Sequence, residues 1–321
     1  MRAVRFHEHG GAGVLRLDDV PEPVPAEGEI RIRCEAAGVN FIDVYLRSGF
    51  YPTGPLPAVA GKEGAGVVDA VGAGVAGIAV GDRVGFFSAA GSYAEQVLLP
   101  AEMAIPLPDG ISTQTAAAAL LQGMTAHYLT RGIRPLEKGD RVLIQAVAGG
   151  VGLLATQMAK LAGARVIGTC STREKRRRAL ASGADHVILY TEEDFVAATL
   201  ARTDGEGVDL AIDGVGKATF EGSVKATRLR GHIILFGQSS GEPDPIRPRR
   251  LLGSRTLTCA SLFDYARRRE ERLERAGDLL RWIAAGDLKV HVHQALPLEE
   301  ARQAHEILEG RATSGKVLLV P

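Results

Sequence analysis

Residues 141–171 read RVLIQAVAGGVGLLATQMAKLAGARVIGTCS. The first six residues form a short apolar run, suited to a buried parallel strand. The turn Val147-Ala-Gly-Gly-Val-Gly152 carries almost no side-chain bulk. Leu153, Leu154, Gln157, Met158 and Leu161 then recur at helical spacing, and residues 164–170 form a second apolar run. Strand, small-residue turn, helix and strand make a βαβ unit.

The turn has chemical consequences. It aims backbone N–H groups at one point, and the helix dipole adds partial positive charge there. Gly149 and Gly152 lack a Cβ, so a pyrophosphate can approach closely and the helix can pack tightly on the strand. Gly149, Gly150, Val151 and Gly152 are therefore expected to cradle a dinucleotide. The strict fingerprint wants glycine where Val147 stands, so the motif is a variant built on Ala146, Gly149 and Gly152. A plain packing turn would use the same small residues. The strands on either side favour dinucleotide binding.

The rest of the composition sets bounds. A chain of 321 residues suits two domains. At 45% hydrophobic and 24% charged residues it has globular composition. The 38 basic and 38 acidic residues cancel, so bulk charge points to no nucleic-acid or membrane partner. Cys34, Cys170 and Cys259 are scattered without a pairing pattern, which fits a reducing compartment and a cytoplasmic location. Met1 leads into the strand-like MRAVRFH, so no leader peptide is expected. Asn40 is the single asparagine. Its rarity reads either as heat adaptation or as genomic base composition.

Residues 1 to about 125 lack strand–helix alternation. Short apolar runs broken by Gly and Pro predict a β-rich, barrel-like domain. Residues 126–264 alternate strand and helix, which predicts a doubly wound parallel sheet. A helix start is expected over 173–180, with strands at 186–190, 208–213, 231–237 and 255–261. A helix is expected to end over 225–229. One long helix is expected from Asp264 to about Ala285.

Specific motifs lie in the first region. Gly38-Val-Asn-Phe-Ile-Asp-Val-Tyr-Leu-Arg-Ser-Gly49, Gly61-Lys-Glu-Gly-Ala-Gly-Val-Val68 and Val80-Gly-Asp-Arg-Val84 follow in order. With Ala146–Gly152, His305-Glu-Ile-Leu-Glu309 and Gly315-Lys-Val317, they resemble the medium-chain dehydrogenases/reductases over nearly the whole chain. The resemblance is strongest to the zinc-free quinone oxidoreductase branch of zeta-crystallin type. It implies an α/β fold: a GroES-like β-rich catalytic domain (1–125 and 265–321), an inserted Rossmann domain (126–264), and a cleft between them.

Zinc-dependent relatives place a cysteine near Asn40 and a histidine where Lys62 stands. A protonated ammonium cannot ligate Zn²⁺. His7/His9 and His291/His293 lack a third ligand nearby. No metal is expected, and without a Lewis acid an already electrophilic acceptor suits the site better than an alcohol.

The end of the second strand bears on cofactor choice. An NAD enzyme places Asp or Glu there; this chain has Gly168-Thr-Cys-Ser171 and then Arg173, Lys175 and Arg176. The missing acid favours a 2′-phosphate, hence NADPH. The resemblance implies that Ser171, Lys175, Tyr190 and Arg311 grip that end. It further implies that Thr125, placed at the start of the helix crossing between domains, contacts the nicotinamide, with Val215, Phe236, Gly237 and Gln238 beside it.

Asn40 reads either as a partly exposed turn residue or as a contact to the nicotinamide half; its rarity favours contact. Tyr45 reads as ring-orienting group, proton donor or core tyrosine. Tyr51 and Phe87 are equally core residues or parts of an aromatic slot. The expected activity is NADPH-dependent quinone reduction. An enone or enal double-bond reductase is the alternative enzyme, and a non-catalytic NADPH- or RNA-binding protein the alternative of another class. A homodimer is expected through Arg255-Thr-Leu-Thr-Cys-Ala-Ser261, an edge strand.

Overall fold

The computed structural model describes residues 1–87 and 91–321. The chain forms two compact units, 1–122 with 268–321, and 123–267.

The first unit is organised by the strand Glu29–Val39. It pairs antiparallel with Glu63–Val71, and also with Gln96–Pro100 near its start and with Lys316–Val320 near its end. Val292–Pro297 extends the sheet in parallel beside Lys316–Val320, and Arg83–Phe87 extends it beyond Glu63–Val71. Alternate residues Ile30, Ile32 and Cys34 point into one core with Val68, Leu99 and Leu319. Burial pushes the Cys34 thiol up to about 12, so it acts as a small apolar side chain.

The second unit is a six-stranded parallel sheet. Its order is His186–Leu189, Arg165–Cys170, Arg141–Ile144, Val208–Asp213, Thr227–Leu235, Thr256–Cys259. Counted along this unit, that is 3-2-1-4-5-6, the doubly wound Rossmann order. The direction of winding switches between Arg141–Ile144 and Val208–Asp213. Ligands in such sheets bind outside the carboxyl ends of strands at that switch. Among the described residues Thr256–Cys259 pairs only with Thr227–Leu235, which makes it an edge.

Several expectations need correction. The span 264–285 is not one helix. Leu262–Tyr265 forms a short helix started by Ser261, whose hydroxyl accepts from the Phe263 N–H, and Arg269–Ala285 forms another. Tyr265 stacks on Tyr128 at 4.8 Å and 6°, anchoring the short helix within its own unit. The helix expected to run through Leu229 stops at Ala226. The Thr227 hydroxyl donates to Ser223 O at 2.7 Å, and Thr227 opens the next strand. Thr125 lies near the end, not the start, of the helix Thr113–His127.

Candidate functional site

In the second unit the helix Gly150–Leu161 begins directly after the glycine turn. Its first intrahelical bond runs from Leu153 N–H to Gly149 O, and no side chain caps it. The amides of Gly150, Val151 and Gly152 belong to the helix end that has no intrahelical acceptor. A Cβ on Gly152 would lie 2.6 Å from both the Ala146 and Val147 carbonyl oxygens. Only glycine allows this approach. The turn thus presents a bare ring of donors at the positive end of a helix, which fits a pyrophosphate.

Ala146 adopts φ 51°, a left-handed conformation that costs an ordinary residue about 1–2 kcal/mol. Local bonds hold it. The Ala146 N–H donates to Thr169 Oγ at 3.3 Å, and the Val147 N–H donates to Thr169 O at 3.0 Å. Gly168 leaves room for Val147, whose side chain would lie 2.5 Å from a Cβ there.

Ser171 and Tyr190 follow two neighbouring strands whose last residues, Cys170 and Leu189, are paired. Tyr190 N–H donates to Cys170 O at 3.2 Å. Lys175 sits in the first turn of the helix Arg173–Ala181, which Thr172 caps by accepting the Lys175 N–H. Tyr190 is exposed and Lys175 half-buried. Cys170 is buried with its thiol held above the usual range by desolvation, a structural cysteine.

Val215, Phe236, Gly237 and Gln238 come together at two adjacent strand ends. Phe236 N–H donates to Asp213 O, Ser240 N–H donates to Val215 O, and Gly214 packs on the Phe236 ring. Thr125 is buried in this unit. Arg311 belongs to the other unit, exposed and at φ 54°.

In the first unit Asn40 is not a partly exposed turn amide. It is 3% exposed and sits before the helix Phe41–Ser48. Its Nδ2 donates to Glu63 Oε2 at 2.9 Å and to Gly38 O at 3.1 Å. Its Oδ1 accepts from Lys316 Nζ at 2.7 Å and from Gln122 Nε2 at 3.4 Å. Lys316 Nζ also bonds Glu63 Oε2, and Glu63 Oε1 accepts the Leu121 N–H at 2.6 Å. Lys316 and Glu63 are both buried. Gly38 makes room for them: a Cβ there would lie 2.4 Å from Glu63 Oε2.

A second buried chain continues from Asp43, whose Oδ2 accepts the Asn40 N–H at 2.8 Å. Arg47 Nη1 lies 3.0 Å from His305 Nδ1. Arginine only donates, so Nδ1 is the acceptor and Nε2 carries the proton. His305 Nε2–H therefore donates to Tyr93 Oη across 3.2 Å, and Tyr93 O–H donates to Asp43 Oδ2 across 3.0 Å. Arg47 also binds Glu309 through two parallel bonds of 2.8 and 3.0 Å. Burial, aided by the Arg47 charge, brings His305 down to about 3; burial raises Asp43 to about 7. Lys62 lies below the usual lysine range because of burial, partly offset by the Asp43 carboxylate.

Tyr45 is half-buried among Phe41, Phe50 and Tyr51, with ring centroids 6.1, 5.4 and 5.2 Å away. Tyr51 thus belongs to this aromatic cluster, whereas Phe87 is an ordinary buried strand residue. His7 bonds Asp18 and His9 faces Arg47 O. Among the described residues, no group of three or more His, Cys, Asp or Glu is placed to hold a metal ion.

The sequence reading missed Glu63, Lys316, Asp43, Tyr93 and His305 here, and Gln145, Asp213 and Ser223 in the other unit. A signal existed for some. Glu63 and Lys316 each open a largely apolar strand, and charges at such places are buried only when paired.

Comparison with known proteins places this geometry in context. Residues 26–109 match the model of the alcohol dehydrogenase GroES-like domain, and residues 150–281 match that of the zinc-binding dehydrogenases. Quinone oxidoreductase 1 of Escherichia coli strain K12 is 43% identical over 99% of both chains. The 2-haloacrylate reductase of a Burkholderia species is 38% identical over 99% of this chain and 98% of its own. The crystal structure of Escherichia coli quinone oxidoreductase complexed with NADPH is 42% identical, covers all of both chains and superposes with a TM-score of 0.97. With a GroES-like unit, a 3-2-1-4-5-6 sheet and full-length identity above 40%, the chain belongs to the zinc-free quinone oxidoreductase family of the medium-chain dehydrogenases/reductases.

Proposed function

We propose that this chain is an NADPH-dependent quinone oxidoreductase. The observation that carries the reading is full-length identity to quinone oxidoreductases, one of which was solved with NADPH. The uncapped glycine turn at the sheet's switch point agrees with it. NADPH, when bound, supplies a hydride.

The chain's own residues do the rest of the work. Gly149, Gly150, Val151 and Gly152 receive the pyrophosphate. Ser171, Lys175 and Tyr190 receive the 2′-phosphate, with Arg311 as a further cation. Thr125, Val215, Phe236, Gly237 and Gln238 line the nicotinamide half. Asn40 and Tyr45 border the acceptor, Asn40 as a fixed polar wall and Tyr45 as an aromatic one. Catalytic and cofactor regions correspond to 1–125 with 265–321 and to 126–264.

The test is NADPH oxidation followed at saturating cofactor with a panel of benzoquinones and naphthoquinones. No turnover above the uncatalysed rate with any quinone would refute the reading. Reduction of an activated double bond is the second reading, favoured by the 2-haloacrylate reductase relative. A 2-haloacrylate, enone and enal series in the same assay separates the two.

We further propose a homodimer formed by pairing Thr256–Cys259 across a two-fold axis. The strand's free edge supports this. Light scattering at micromolar protein tests it, and a monomer would refute it. A cytoplasmic location is supported by three free cysteines. No helix among the described residues is long and apolar enough to cross a membrane. Fractionation of a tagged chain would check the location.

A further inference from the structure

A directional hydrogen-bond chain runs beneath the switch point of the parallel sheet. It starts at the left-handed Ala146, whose N–H donates to Thr169 Oγ. The Thr169 hydroxyl donates to Gln145 Oε1 at 2.6 Å. Gln145 Nε2 donates to Ser223 Oγ at 3.1 Å, and the Ser223 hydroxyl donates to Asp213 Oδ2 at 2.7 Å. Asp213 Oδ1 accepts three more bonds, from the Val215 N–H, the Gly216 N–H and the Thr219 hydroxyl, at 2.8–3.1 Å. All four linking side chains are buried. Each hydroxyl gives its one proton in one direction and accepts from the other, so the order is fixed.

The placement is informative. Gln145 directly follows Arg141–Ile144 and Asp213 is the last residue of Val208–Asp213, the two strands that flank the switch, and Gln145 N–H donates to Ile212 O across them. One end of the chain holds the turn that receives the pyrophosphate. The other end holds the 214–216 turn.

We propose that Thr169, Gln145, Ser223 and Asp213 are positioning residues that set the phosphate turn and the 214–216 turn as one unit for the dinucleotide. Thr169 keeps Ala146 in a conformation alanine resists, and so aims the amides of 150–152. The proposal rests on NADPH being the cofactor.

Thr169→Val keeps the side-chain shape and removes the hydroxyl. Thr169→Ser restores the hydroxyl. Ser223→Ala cuts the chain between Gln145 and Asp213. The probes are NADPH and adenosine 2′-monophosphate, each titrated directly, with the melting temperature of every variant. Adenosine 2′-monophosphate lacks the pyrophosphate and reads only the far end of the site.

Thr169→Val should bind NADPH roughly tenfold more weakly, the loss expected when a buried polar group is left unpaired. Its KM for NADPH should rise by more than its kcat falls. Adenosine 2′-monophosphate should bind within about twofold of wild type, and Thr169→Ser should recover NADPH binding. Ser223→Ala should shift in the same direction by less, and the double variant should lose less than the sum, because both cut one chain. NADPH binding within twofold of wild type in Thr169→Val overturns the proposal. So do equal losses for both probes, or failure of Thr169→Ser to recover. If Thr169→Val does not fold, Ser223→Ala decides by the same criteria. A wild-type chain that binds NADPH while the variants match it sinks only this proposal; a wild-type chain that binds neither probe sinks the cofactor reading.

Discussion

Lys316→Met should be among the most destabilising changes in the first unit. The ammonium bonds Glu63 Oε2 and Asn40 Oδ1, and both charged side chains are at most 1% exposed. Methionine has nearly the same volume, so little cavity is left. The cost is electrostatic. Glu63 would keep only two neutral donors, the Leu121 N–H at 2.6 Å and Asn40 Nδ2 at 2.9 Å. Removing one partner of a buried pair costs about 3–5 kcal/mol. The two remaining bonds favour the lower end, about 3 kcal/mol. The single tryptophan, Trp282, lies in the same unit, so its fluorescence in urea reports that unit's unfolding. Adding Glu63→Gln removes the stranded charge and should recover about 2 kcal/mol of the loss. Lys316→Met within about 1 kcal/mol of wild type, or a double variant no better than the single, would show that the pair is not a closed buried unit.

Four further outcomes are expected. His305 is depressed to about 3 against about 6.5 in the unfolded chain, so its contribution is complete above pH 6.5 and is lost as pH falls towards 3; His305→Gln should flatten that part of a stability–pH curve. Asp43, raised to about 7, runs the other way: its contribution is complete below about pH 3.8 and is lost as pH rises through 7, so Tyr93→Phe, which removes a donor to the ionised form, should cost about 1–3 kcal/mol and more at pH 8 than at pH 5. Lys175→Ala should weaken NADPH binding about tenfold and leave NADH nearly unchanged, with the gap closing as salt rises, since this rim is exposed; equal losses for both cofactors in a titration would contradict the assignment. Gly152→Ala would drive a Cβ to 2.6 Å from two backbone carbonyls, so NADPH binding should be lost with a fall of several degrees in melting temperature; unchanged binding would mean that the turn is not the phosphate site.

The Rossmann unit was legible because its signals are local. The run 141–171 carries strand period, turn chemistry and helix period within thirty-one residues. The edge position of Thr256–Cys259 followed from its being last in an alternating series. The helix break at 266–268 was not legible, because charged residues on both sides have good helix propensity and the break is enforced by where Tyr265 stacks. Thr227 reads as helix from local sequence because its switch to strand depends on pairing with Val208, nineteen positions away. The polar cluster was least visible. Lys316 and Glu63 are 253 positions apart, and Arg47 and His305 are 258 apart. No periodicity links such residues. The family resemblance located Asn40 and the Gly61-Lys-Glu-Gly64 segment, but not the partners that fix them.

Those partners explain why this one asparagine persists, and they make a sharper test than truncation. Asn40 stands between two kinds of neighbour. Glu63 Oε2 and Gly38 O, on its Nδ2 side, only accept; Lys316 and Gln122, on its Oδ1 side, donate. An amide satisfies both sides at once. Asn40→Ala leaves four groups with one bond fewer, a loss of about 1–3 kcal/mol. Asn40→Asp keeps the shape but sets a second carboxylate 2.9 Å from Glu63 Oε2, where a donor is needed. With only the Lys316 cation to share, it should cost about 3–5 kcal/mol at pH 8, more than Asn40→Ala. Acid should reverse the order. Once the introduced carboxylate takes a proton, its O–H can replace the lost N–H donor, so the deficit of Asn40→Asp should shrink as pH falls from 8 to 5, while that of Asn40→Ala stays nearly flat. Urea unfolding followed at Trp282 over that range measures both. If Asn40→Asp is the milder change at pH 8, the amide is not clamped between an acid and a base, and its retention has to be sought in direct contact with cofactor or acceptor.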